Sequence, residues 1–150
     1  MKVNFSPLNL KKFQVQDFTQ KTILSEVGEE NYGIETKLHT VDLDFEQFLH
    51  NGEFLVSMDL HVNKKKDVGY ELKVEAYANF FIEEHPDLTE QMKENLLGIS
   101  SVNIMISNIR GYLRNVTAYG FFGPYLLPSV DVNDLLAEKR KQQQKKLKKK

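Results

Sequence analysis

Phe54-Leu55-Val56-Ser57-Met58-Asp59-Leu60-His61-Val62, followed after a short polar stretch by Tyr70-Glu71-Leu72-Lys73-Val74-Glu75-Ala76-Tyr77-Ala78-Asn79-Phe80-Phe81-Ile82, decides the fold class. In both runs large apolar residues alternate with mostly polar ones, the period of a strand with one buried face. Phe54, Val56, Met58, Leu60 and Val62 share one face, and Leu72, Val74, Ala76, Ala78, Phe80 and Ile82 share the corresponding face of the second run. Asn63-Lys64-Lys65-Lys66-Asp67-Val68-Gly69 between them reads as a solvated hairpin loop, so the two strands are expected to pair antiparallel. Upstream, Asn51-Gly52 is a type I′ turn signal and Gly28 to Gly33 marks another turn, which places strands near 12–27, 33–46, 53–63 and 70–82. The first two alternate imperfectly, as a bulged strand does.

After His85-Pro86 the period becomes helical. Asp87 and Glu90 have the spacing of a capping box for a short helix that Gly98 is expected to end. A longer helix opens at Ser100 or Ser101 and carries Val102, Met105, Ile106, Ile109, Leu113 and Val116 along one stripe. The fold class is therefore α+β, a four-stranded antiparallel sheet packed with helices. Tyr119-Gly120-Phe121-Phe122-Gly123-Pro124-Tyr125-Leu126-Leu127-Pro128 is a segment whose glycines and prolines forbid a long helix while the residues between them are large and apolar. Such a loop is either tucked into the core or lines a surface that something apolar covers. A last helix starts at Asp131 and is expected to fray along the lysines beyond Lys139.

The chain has 150 residues and a formal net charge of -1. That sum hides an asymmetry: residues 138–150 hold eight Lys or Arg against Glu138, a net +7, which leaves 12 basic and 20 acidic residues in 1–137. An acidic domain over 1–137 with a basic, disordered tail over 138–150 is the expected organisation. An acidic body repels nucleic-acid phosphates, so no nucleic-acid partner is expected. Zero cysteines exclude disulfides, thiolate metal sites and a cysteine nucleophile. Met1 to Leu10 lacks the apolar core of a signal peptide and no run approaches the roughly 18 apolar residues of a membrane span, so a cytoplasmic protein without stable membrane insertion is expected. His39, His50 and His61 are spaced by eleven, which suits no metal site on one element, and Asp42-x-Asp44 lacks a third ligand cluster. There is no G-x-S-x-G and no phosphate-binding glycine loop. No enzyme activity, metal or cofactor is expected.

The order of elements, together with Leu96-Leu97-Gly98, the long helix, Gly120-Phe121-Phe122, Leu126-Leu127-Pro128-Ser129-Val130-Asp131-Val132 and Asp134-Leu135-Leu136, resembles the SecB export chaperone family over about residues 12–138. The resemblance implies an ATP-independent holdase, a dimer or dimer of dimers that keeps unfolded preproteins in apolar grooves and passes them to the SecA motor. It maps the client groove to Phe80, Phe81, Ile82, Phe121, Phe122, Tyr125, Leu126 and Leu127, and the association surface to Leu72, Val74, Ala76 and Ala78, which the residues themselves fit equally as core. The acidic SecA-docking face maps to Asp17 and Glu75, where Lys21 and Lys73 depart from the family pattern, as does the lysine tail. SecB-like chaperones that guard an antitoxin share the resemblance. A structural or adaptor protein recruited through the basic tail is the reading from another class.

Overall fold

The computed structural model describes residues 1–24 and 39–149. Four strands, β1 (Leu8–Ile23), β2 (Val41–His50), β3 (Glu53–Val62) and β4 (Gly69–Ile82), form one antiparallel sheet in the order β1-β4-β3-β2. The first strand thus crosses over to pair with the fourth, and among the described residues β2 is an edge. Asn51 and Gly52, with φ of 50° and 76°, make the tight β2–β3 turn, because a type I′ turn needs positive φ at both positions. The described part of β2 reaches His50, beyond the 46 expected from sequence, because the alternation of Val41, Leu43, Phe45 and Gln47 runs up to that turn. The Gly28–Gly33 turn and the start of the second expected strand lie outside the described residues. Register shifts between Leu10 and Lys12 and between Val15 and Asp17 account for the broken alternation of β1, which begins at Leu8 and not near 12. In the β3–β4 hairpin, Asn63 is buried and its side chain takes over the pairing: Nδ2 donates to Asp67 O (2.7 Å) and Tyr70 O (3.1 Å), and Oδ1 accepts from Asp67 N (2.9 Å).

Helices α1 (Glu90–Asn95), α2 (Ser101–Val116) and α3 (Val132–Lys148) complete the order. The cap of α1 is Thr89, whose hydroxyl accepts from Met92 N at 3.2 Å; Asp87 lies two residues too early to reach the first turn. Gly98 does not stop the chain. Leu96–Ser100 form a π turn that runs on into α2, and the carbonyls it leaves free are met from outside: Gln47 Nε2 on β2 donates to Leu97 O (2.9 Å) and Gly98 O (3.1 Å), and Ser101 Oγ donates to Leu97 O. The core forms where Val102, Met105, Ile106, Ile109 and Leu113 of α2 meet the β3 and β4 face read from the alternation. Phe18 of β1 joins it edge-on to Tyr112, with ring centroids 5.4 Å apart. Val116 falls outside this stripe and is exposed; the buried position one residue on belongs to Thr117, whose hydroxyl donates to Leu113 O at 2.6 Å. The lysine-rich segment differs from expectation too, since α3 is continuous to Lys148, with Asp131 as its cap and a Glu138–Lys141 pair at 2.7 Å.

Candidate functional site

Two surfaces combine apolar side chains with open space. The first is a groove of about 600 Å³ between β2, the α1–α2 junction and α3. Consecutive residues Phe45, Glu46, Gln47 and Phe48 all line it. Because neighbouring side chains on a strand point to opposite faces, this means that the groove follows the outer edge of β2 and not one face of the sheet. Phe45, Phe48, Ile99 and Leu136 are its apolar residues, while Gln91, Glu94, Asn95, Lys139, Arg140 and Gln143 form a polar rim. On its outer side β2 has no strand partner among the described residues, which is the side on which an edge strand carries unpaired N–H and C=O groups at alternate positions. The α3 wall is held by Lys139, which pairs with Asp44 and lies 5.4 Å from the centroid of the Phe45 ring. The hydrogen bond from Lys139 keeps the Asp44 carboxyl below its usual range.

The second is the Gly/Pro segment 119–128. Its backbone is held by three side chains from other parts of the chain. The Tyr70 hydroxyl on β4 donates to Gly123 O (2.8 Å) and accepts from Phe122 N (2.9 Å), and its ring stacks edge-on against Phe122 at 5.4 Å. Thr117 Oγ1 accepts from Tyr125 N at 2.7 Å. Arg110 Nε and one terminal nitrogen donate to Leu127 O (3.0 Å) and Pro128 O (3.1 Å). With the backbone fixed, alternate side chains separate: Leu127 is 4% exposed and joins the core, while Leu126 is 64% exposed. Phe121 and Phe122 are also exposed, and the half-buried Tyr125 has its phenol pushed up to about 12 by burial. Tyr70, Arg110 and Thr117 carry no sequence signal of this role, since each acts on a backbone group far along the chain or hidden in a loop.

The structure therefore divides the groove residues mapped by resemblance. Phe80 and Leu127 are core, Ile82 and Tyr125 pack partly against it, and Phe81, Phe121, Phe122 and Leu126 are exposed. They do not form one patch. Phe122 contacts Tyr70 at the start of β4, whereas Phe81 lies at its end, about 36 Å away at roughly 3.3 Å per residue. Leu72, Val74, Ala76 and Ala78 are all buried beside α2 within the chain, so they have no surface left for a second chain. The small alanines bring α2 of the same chain close to the sheet.

Asp17 and Glu75 are register neighbours on the uncovered face of the sheet, and the row continues through Asp59 to Asp44. Burial, and then the charges of Glu75, Asp44 and Glu46, push the Asp59 carboxyl up. Lys73 stands one register row away beside His61, and Lys21 is the register partner, across β1 and β4, of the buried Glu71, which lies 3.4 Å from His61 Nε2 and 3.8 Å from Lys73 Nζ. Among the described residues no three His, Cys, Asp or Glu side chains are grouped to hold a metal ion, and no helix is long and apolar enough to cross a membrane.

No protein-family model and no curated protein sequence matches the chain. Solved structures match by fold. One is the Rv1957 SecB-like chaperone of Mycobacterium tuberculosis, in complex with a ChAD peptide from the Rv1956 HigA1 antitoxin; it superposes with a TM-score of 0.52 at 17% identity, over 83% of this chain and 91% of that one. The fold is SecB-like. A protein of unknown function from Streptococcus agalactiae also matches, with a TM-score of 0.42 and 12% identity over 81% of this chain and 97% of that one. The SecB-like fold sets the groove at the β2 edge and the pinned 119–128 segment on one α+β scaffold, with helices on one face and the acidic row on the other.

Proposed function

We propose that this protein is an ATP-independent holdase of the cytoplasm that binds unfolded polypeptide along the β2 edge. The observation that carries the reading is the coincidence, in one groove, of the apolar side chains Phe45, Phe48, Ile99 and Leu136 with a strand edge that is unpaired among the described residues. Main-chain hydrogen bonds to a strand edge do not depend on the client's sequence, and apolar pockets accept alternate side chains of an extended segment. That combination suits a binder of many unfolded chains. The SecB-like fold supports it, and the fold's relative Rv1957 is itself a chaperone complexed with a peptide. The exposed Leu126, Phe121 and Phe122 form a second, separate contact area, because several weak sites are needed to hold a long chain and still release it.

Two finer roles follow from different observations. Delivery to the Sec pathway would use the acidic row Asp17–Glu75 as the docking face for SecA; service to an antitoxin, as in the relative, would need only the groove. Self-association as a dimer or dimer of dimers belongs to the same proposal, and the outer edge of β1, unpaired among the described residues, is a surface for it. The test is aggregation of a chemically unfolded model client, followed by light scattering without nucleotide. The protein is expected to suppress aggregation, and Phe48→Asp in the groove to weaken suppression without changing the circular dichroism spectrum. No suppression at several-fold molar excess of the wild type would sink the proposal.

A further inference from the structure

We infer that the groove selects extended polypeptides in which an apolar run is flanked by acidic residues, an inference that rests on the holdase reading above and names its client class. The reason lies in α3. Leu136, Lys139, Arg140 and Gln143 project from one face of this helix to form a wall of the groove. One turn on, the same face presents Lys146, whose charge reaches Asp44. The apolar part of the groove therefore leads into a cationic end. From Glu138 to Lys149 the helix has no other acidic residue, and among the described residues Arg140, Lys145, Lys146, Lys148 and Lys149 make no ion pair. Crowded like charges on one helix repel, and an anionic partner relieves that repulsion.

The partner chemistry is narrowed by what the helix lacks. Only Leu147 interrupts the polar residues beyond Ala137, so there is no apolar stripe to enter a lipid surface. A nucleic acid would meet a body of net charge -8, from 12 basic and 20 acidic residues, beside the cations. A short acidic flank needs no apolar stripe and carries its few charges only at the lysines, whereas a nucleic acid carries phosphates along its whole length past the acidic body; the apolar run beside that flank has Phe45, Phe48, Ile99 and Leu136 of the adjoining groove to meet. The walls also differ in sign: Glu46 and Glu94 stand on the β2 and α1 side, opposite Lys139 and Arg140. An acidic flank is thereby directed towards α3.

The experiment uses the full chain and three fluorescent peptides that share one alternating apolar core and carry a terminal run of aspartate, serine or lysine. Fluorescence anisotropy is expected to rank affinity aspartate over serine over lysine, with about a tenfold gain of aspartate over serine at low salt from a few exposed ion pairs. The gain should vanish at high salt and in the variant K145Q/K146Q/K148Q/K149Q, which should bind the serine peptide like the wild type. Equal affinity for the three peptides, or a preference that survives in the variant, overturns the inference and leaves the holdase reading standing. Binding of none of the peptides removes both. Absence of any aspartate gain, with capture of a single-stranded oligonucleotide or a phosphatidylserine vesicle through the same lysines, overturns it in favour of a phosphate ligand.

Discussion

Removing one oxygen, in Tyr70→Phe, should loosen the whole 119–128 segment. The phenylalanine ring keeps its edge-on contact with Phe122, but Gly123 O and Phe122 N lose their partner at 2.8 and 2.9 Å. Each such bond contributes about 1 kcal/mol net, and water reaches this loop in part, so the loss is about 1–2 kcal/mol. For a chain of this size that lowers Tm by roughly 3–6 °C. A second substitution makes the reasoning sharper. A methyl group on Gly120 would come 2.3 Å from the Tyr70 hydroxyl and 2.9 Å from Gln20 Nε2. Gly120 is not a left-handed residue, so Gly120→Ala acts by displacing the hydroxyl and not by backbone strain. It should therefore break the same two bonds and cost a similar amount. In the double variant the hydroxyl is already gone, and the methyl meets the ring edge at 3.0 Å and the movable end of Gln20. Coupling of about 1 kcal/mol is expected, so that the double variant is little worse than either single one. Thermal unfolding of the four proteins, with amide exchange at Phe122 as the local readout, measures it. Additive losses, or a Gly120→Ala protein as stable as the wild type, would refute the account of the loop.

Leu126→Ser and Leu127→Ser should separate binding from stability at adjacent positions. Leu127, 4% exposed, should lose about 2–4 kcal/mol of stability, whereas Leu126, 64% exposed, should change Tm little and lower client capture; similar Tm values for the two would contradict the structure. Tyr125 predicts an alkaline limit. Its folded phenol keeps its proton up to about 12 while the unfolded one releases it near 10, so between those values the unfolded state binds fewer protons and stability falls as pH rises. Tyr125→Phe should flatten that decline in a pH series of urea midpoints, and an unchanged slope would show that the phenol is not buried.

Much of the sheet was readable locally, because burial on one side imposes period two on β3 and β4, and a tight hairpin demands Asn51-Gly52. The helical stripe of α2 was readable for the same reason, down to Leu113. What failed locally was decided at a distance. Gly98 looks like a helix stop until Gln47, on a strand, supplies donors to the carbonyls of the π turn. Leu72, Val74, Ala76 and Ala78 have the parity of any buried face, and parity cannot tell whether the covering helix belongs to the same chain.

The groove depends on the same distinction more strongly. Val41 to His50 alternates as an ordinary strand would in any position, and only the order β1-β4-β3-β2 makes it an edge. That order is set by the crossover of β1 to β4, whose pairing joins residues as far apart as Leu8 and Ile82. Once β2 is an edge, Phe48 is no longer an apolar residue misplaced on an open face, because it becomes floor. Lys139 likewise ceases to be the first residue of a charged tail, since its pairing with Asp44 makes α3 the opposite wall. The apolar Gly/Pro segment, the most unusual stretch of the sequence, is held rigid by Tyr70, Thr117 and Arg110 and offers a few separate side chains. The cleft lies instead beside the least conspicuous strand, whose outer edge is unpaired among the described residues, and backbone of that kind is what the proposed binding of many sequences would use.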